Sequence, residues 1–210
     1  MEACCTSLEA AVRACKLGFG RIELCEDLKV GGVTPSVELF RKVHDAVTIP
    51  VNVLIRPRGG DFVYDTREVE TMCQDIRQFS LLGAHGVVIG ALDKEGRVDM
   101  EIMERLVALS RSLGLSVTFH RAFDESRDAL EALDAVLKLG CDRLLTSGHA
   151  QDAFQGRSMI RQVVMKASGR LVVMAGCGVR PTNIEMLERD SQAQEFHSSF
   201  LSEDYFSGAL

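Results

Sequence analysis

Apolar positions along the chain fall into two alternating kinds of run. The first kind is short and rich in β-branched side chains: Met1–Cys5, Arg21–Cys25, Ile49–Ile55, Gly86–Gly90, Val117–Phe119, Arg143–Thr146, Leu171–Met174 and Glu195–His197. Such runs predict buried strands. Between them lie stretches whose apolar residues recur every three or four positions, as in Leu8, Val12 and Cys15, or Leu130, Leu133 and Leu137. That spacing predicts amphipathic helices. Capping boxes at Thr6–Glu9, Asp65–Glu68 and Thr182–Glu185 mark three helix starts, and Asp99 caps another. Thr34-Pro35 reads as a cap followed by a first-turn proline. The helices from Thr34, Asp65 and Asp99 run to about Val47, Leu82 and Leu113, and another covers Ser158–Ala167. Gly18, Gly83, Gly114, Gly140 and Gly169 stand where helices must turn back into strands, a position that favours glycine.

Eight strand-like runs separated by seven helices, in strict alternation, require parallel strands joined by right-handed crossovers. The predicted fold is α/β, a TIM (β/α)8-type barrel. The rival is an open doubly wound sheet. Against it, no Gly-x-Gly-x-x-Gly follows the first strand, and polar residues collect at the C-terminal ends of strands spread over the whole chain. Residues 1–198 read as one domain. Residues 199–210 form a short divergent tail, too irregular for an eighth helix, so the last helix is expected to be missing or replaced.

Composition narrows the function. A net charge of -6 over 210 residues argues against nucleic acid and anionic membranes as partners. No apolar run reaches the ~20 residues of a membrane span, and Met1-Glu2-Ala3-Cys4-Cys5 does not resemble a signal peptide. Seven cysteines without CxxC spacing read as free thiols in a reducing compartment.

Candidate chemistry sits at the strand ends. Arg56-Pro57-Arg58-Gly59-Gly60-Asp61 combines two guanidinium groups with two glycines, which suits a carboxylate or phosphate. The alternative is a tight loop in which Asp61 pairs with an arginine. Gly176-Cys177-Gly178 follows the seventh strand, a frequent phosphate position in barrels, or is a mere turn. His120, Arg121 and Asp124 are a candidate acid/base set, or a structural network closing the barrel mouth. His197 ends the last strand and is placed at the same mouth. His44 and His85 read as surface residues. Glu23 lies between Ile22 and Leu24, so alternation points it into the barrel, where it needs a partner; Arg56 is the expected one. Glu2 holds the comparable place one strand earlier. Cys4 and Cys25 fall on adjacent strands near their C-terminal ends. Two soft thiolates there could hold Cu(I), although free cysteine is also a common core residue.

Taken together, Ile22-Glu23-Leu24-Cys25, Val53–Phe62, Val87–Leu92, Val117–Asp124, Leu145–Gly148 and Glu195-Phe196-His197 resemble the CutC copper homeostasis family. The resemblance covers Glu2 to about Ser198. It implies a TIM barrel, a cytoplasmic protein (a nuclear location is also compatible), a homo-oligomer and a role in copper handling. In vertebrate-type members Cu(I) binding is attributed to two cysteines that match Cys4 and Cys25. No enzymatic reaction is established for the family. Three features depart from its pattern: Gly176-Cys177-Gly178 where three glycines are usual, Cys4-Cys5-Thr6-Ser7 where an Asp is usual in the third place, and the tail beyond Ser198. The expected function is therefore copper homeostasis, with Cu(I) held by Cys4 and Cys25. The alternative is a barrel enzyme acting on a small anionic substrate. There Arg56, Arg58, Gly176 and Gly178 would bind the anion, and Glu23, Arg56, His120 and Asp124 would carry the catalysis. A third reading is a structural or regulatory variant whose activity went with the eighth helix.

Overall fold

A computed structural model describes residues 1–199. Its eight strands are β1 (Glu2–Cys5), β2 (Arg21–Leu24), β3 (Val51–Leu54), β4 (Gly86–Ile89), β5 (Ser116–Phe119), β6 (Arg143–Thr146), β7 (Val172–Ala175) and β8 (Glu195–Ser198). All pair in parallel and in chain order, and β8 returns to β1 through Glu2 opposite His197, closing the barrel. Seven α-helices fill the connections: α1 (Leu8–Lys16), α2 (Val37–Ala46), α3 (Thr66–Leu81), α4 (Met100–Ser112), α5 (Ala129–Leu139), α6 (Arg157–Ala167) and α7 (Ile184–Ser191). The predicted TIM barrel is what forms. The expected loss of an eighth helix concerns residues that lie outside the described ones.

Strand alternation separates two interiors. Ala3, Cys5, Ile22, Leu24, Val51, Val53, Val87, Ile89, Val117 and Phe119 are fully buried in one apolar layer with the helices. Phe40 and Val43 from α2, Ile76 and Phe79 from α3, and Leu106 from α4 complete that layer. The opposite faces point into the barrel. They carry Glu2, Glu23, Asn52 and Thr118, together with a small apolar group of Cys4, Cys25, Leu54 and Val88. A barrel of this kind usually fills its lumen with branched apolar side chains; this one is largely polar.

The helix signals held unevenly. The Asp65 box forms in full: its side chain accepts the amides of Arg67 and Glu68, and Glu68 reaches back. Asp99 caps α4 as expected. The other starts shift. Ser7, not Thr6, caps α1 by accepting the Ala10 amide. Ser36 caps α2, because Thr34 is committed elsewhere: its hydroxyl accepts the Arg56 amide at 2.9 Å, tying the loop before α2 to the end of β3. The Thr182 box does not form. Asn183 takes the cap position, and its side chain instead accepts the Arg180 amide and donates to the Gly178 carbonyl. The glycine stops behave as predicted, Gly140 for example closing α5 at φ 70°.

Candidate functional site

A cavity of about 800 Å³ opens at the C-terminal ends of the strands. Cys4, Glu23, Leu54, Arg56, His120 and His197 reach it from β1, β2, β3, β5 and β8 or from the residues just beyond them. Phe62 and the Leu28–Gly31 loop form part of its rim. Five sequence-predicted residues thus meet in one place.

The deepest group is sulfur and carboxylate. Cys4 Sγ and Cys25 Sγ lie 3.5 Å apart, both buried. The register puts Cys4 directly opposite Glu23, and one Glu23 oxygen lies within 4.8 Å of both sulfurs. The hydrogen bond shared with Cys25, together with burial, pushes the Cys4 thiol well above its ordinary pKa. Burial likewise raises Glu23 to about 7, aided by Glu2 and opposed by His197 and Arg21. Its Oε2 has no hydrogen-bond partner. The expected partner, Arg56, is not there. Glu23 instead shares its surroundings with Glu2 and His197, whose Nδ1 lies 2.9 Å from Glu2 Oε1. Burial opposes a charge on His197, but Glu23 and Glu2 outweigh it and hold its pKa above the usual value.

Arg56 is 4% exposed and is used as a clamp. Nη1 donates to the carbonyls of Val30 and Gly32, each at 2.9 Å, and Nη2 donates to Gly60 at 2.6 Å. Only its Nε lacks a partner. The guanidinium carbon stands 4.6 Å from the centre of the Phe62 ring. On the same ring, at 4.9 Å between centroids, lies His120. The Ala122 amide donates to His120 Nδ1 at 3.1 Å. A nitrogen that accepts carries no proton, so the neutral ring bears its hydrogen on Nε2, which has no partner. Burial first, then the Arg56 charge, lowers the His120 pKa to about 3. Gly90 makes room for the ring: a Cβ there would stand 2.6 Å from its atoms.

Gly178 and Arg121 also line the cavity, whereas Arg58, Asp124 and Gly176 stand apart. Arg58 turns outward to Glu68 at 2.5 Å and Asp61 at 3.0 Å, and does not line the cavity. The tight-loop alternative therefore describes Arg58. Asp124 does not orient His120. It accepts the Thr146 hydroxyl at 2.5 Å, the Ser147 and His149 amides and the Arg121 guanidinium, a network that ties the β5 end to the β6 end. Gly176 leaves space for Leu145, and its amide is taken by the Thr146 carbonyl. Gly178 and Cys177 do reach the cavity. Cys177 sits at φ 72°, a left-handed conformation that would suit glycine better. The residue that sequence reasoning passed over is Phe62, which seats both Arg56 and His120. Its signal was present, an aromatic residue directly after the Arg-Pro-Arg-Gly-Gly-Asp run.

Comparison with known proteins gives the family and agrees with the fold. The CutC family model matches residues 1–202. The chain belongs to the CutC family. It is 50% identical to the mouse copper homeostasis protein cutC homolog and 47% identical to the human one, in each case over 95% of this chain and 72% of the relative. The crystal structure of the CutC protein from Streptococcus agalactiae superposes with a TM-score of 0.86 at 32% identity, covering 93% of this chain and 96% of that one. Deoxyribose phosphate aldolase from Aeropyrum pernix, at 15% identity and a TM-score of 0.70 over 95% of this chain and 85% of its own, shares the CutC barrel fold alone.

Proposed function

We propose that this chain serves copper homeostasis by binding Cu(I) through the thiolates of Cys4 and Cys25. The observation that supports this most is the buried sulfur pair, 3.5 Å apart, of which Cys4 lines the open cavity. The donor chemistry fits. Thiolates are the soft ligands Cu(I) prefers, and both sulfurs sit among Leu54 and Val88, which keep water away. With a metal–thiolate distance of ~2.3 Å, as for zinc, a linear S–Cu–S unit spans ~4.6 Å. The two sulfurs must therefore open by about 1 Å, a rotation about Cα–Cβ, or bind at a bend with Glu23 as a third ligand. Cys4 is protonated at neutral pH, so binding expels its proton and weakens as pH falls. Under reducing conditions the chain binds one Cu(I), and Cys4→Ser with Cys25→Ser abolishes it. Undiminished stoichiometry in the double variant would move the site to Cys141 or Cys177. Homo-oligomer assembly and a cytoplasmic location belong to the same reading.

The unpartnered nitrogens of Arg56 and His120 favour a second reading, in which the cavity also takes a small anion and acts on it. Arg56, Glu23 and His120 are the residues placed for it; Arg58, Gly176 and Asp124 are withdrawn from it by their own bonds.

A further inference from the structure

We infer that Arg56 and His120 form a subsite for the carboxylate of a small organic monoanion, with His120 acting as an N–H donor through Nε2 rather than as a base. This rests on the second reading above, that the cavity takes a small anion, and not on the copper site.

The geometry is built rather than incidental. Both side chains are 4% exposed and line the same cavity, and each retains one ring or guanidinium nitrogen buried without a partner. A buried donor left unmade is costly, so each of them calls for an acceptor. Phe62 packs against both, with the guanidinium carbon 4.6 Å and the imidazole centroid 4.9 Å from its ring centre. The carbonyls of Val30, Gly32 and Gly60 occupy three of the guanidinium's N–H groups, and the Nε–H is left without a partner. The Ala122 amide locks the imidazole tautomer. His120 therefore cannot take a proton at Nε2, and its Nδ1 is engaged by the backbone. Its low pKa, set chiefly by burial, agrees with a ring that stays neutral.

Two N–H donors and one fixed positive charge match a planar carboxylate, which offers two oxygens and one negative charge. They do not match phosphate, with more oxygens and up to two charges. Glu23, Asp61, Asp93 and Glu125 line the same cavity and would repel a second negative charge. Leu28, Leu54 and Leu145 provide apolar wall for a short carbon body.

The test uses the full chain labelled with 15N and probed by propionate, propionamide and inorganic phosphate. The free protein should show a His120 Nε2–H, an unprotonated Nδ1, and no titration between pH 5 and 8. Propionate should shift the His120 Nε2–H and Arg56 Nε–H resonances saturably, with propionamide and phosphate each at least tenfold weaker. His120→Phe, which keeps the ring contact and removes the donor, should weaken propionate about tenfold, and His120→Gln should restore part of that. Arg58→Ala, which removes a nearby guanidinium held by Glu68 and Asp61 outside the cavity, should leave it within twofold. Tighter binding of phosphate at the same resonances would overturn the carboxylate assignment while leaving the small-anion reading intact. No response to any anion would overturn both. A His120 ring that titrates near 6.5, or carries its proton on Nδ1, would overturn the donor role whatever binds.

Discussion

The two ends of the barrel lumen carry similar side chains and use them differently. At the N-terminal end, Arg21 bridges Glu2 and Glu195, and Arg143 joins Glu195 at 3.1 Å. Each charge there has its opposite. At the C-terminal end, Glu23 Oε2, Arg56 Nε and His120 Nε2 have no partner. The first arrangement is self-sufficient and can serve only stability. The second is incomplete without something from outside. The same contrast recurs within the mouth: Asp124 is satisfied by four donors, whereas His120, four residues earlier, holds its free nitrogen toward none. Being charged and near a strand end does not distinguish Asp124 from His120; being left unpaired does.

The largest expected effect tests that contrast directly. Glu2→Gln breaks a fully buried pair and should cost ~3–5 kcal/mol of unfolding free energy, since it leaves His197 without its carboxylate and Arg21 with Glu195 alone. Glu23→Gln, measured at pH 8, should be neutral or stabilising, because it removes a carboxylate that burial penalises. Equal losses in denaturant titrations would erase the distinction between the two ends.

The pH dependence comes next. Glu23 has a native pKa of about 7 against a reference of 4.5. Between those values the native state holds a proton that the unfolded chain has lost, so this group makes stability fall as pH rises from ~4.5 to ~7, by up to roughly 3 kcal/mol. His120 has a native pKa of about 3 against 6.5. There the unfolded chain binds the extra proton, so stability falls as pH drops from ~6.5 to ~3. Glu23→Gln should flatten the neutral limb of the curve and His120→Phe the acid limb; exchanging those effects would show the two environments misassigned.

Smaller effects sharpen the comparison. Asp124→Asn turns an amide toward backbone N–H groups and should cost about 2 kcal/mol without altering ligand or copper binding. Arg58→Ala removes partly exposed ion pairs and should cost less than ~1 kcal/mol. A change in anion affinity with Arg58→Ala would return that residue to the cavity.

How far the chain could be read follows the same physics. The barrel was legible because the alternation of β-branched runs, helical spacing and terminal glycines is local and repeated. Convergence of Cys4, Glu23, Arg56, His120 and His197 was legible too, since parallel strands carry their C-terminal ends to one mouth. Side-chain pairing was not. Glu23 and Arg56 looked like partners, yet the carbonyls of Val30 and Gly32, from a glycine loop with no charge to announce it, took the guanidinium first. Thr34 read as a cap until the Arg56 amide claimed its hydroxyl. Arg56 and Arg58 are two residues apart, and only the turn between them decides which one faces the cavity. Such outcomes depend on competition among distant groups, which spacing along the chain does not encode.

The most direct test of the copper assignment uses two neighbours in sequence that face opposite ways. Cys4 pairs with Cys25 at the mouth, whereas Cys5, fully buried, belongs to the apolar layer beneath the helices and donates to the Ala3 carbonyl. Cu(I) titration against a competing chelator, in the reduced full chain, should give one ion per chain for wild type and for Cys5→Ser, and none of comparable affinity for Cys4→Ser. Retention of the ion by Cys4→Ser, or its loss from Cys5→Ser in a folded protein, would contradict the site.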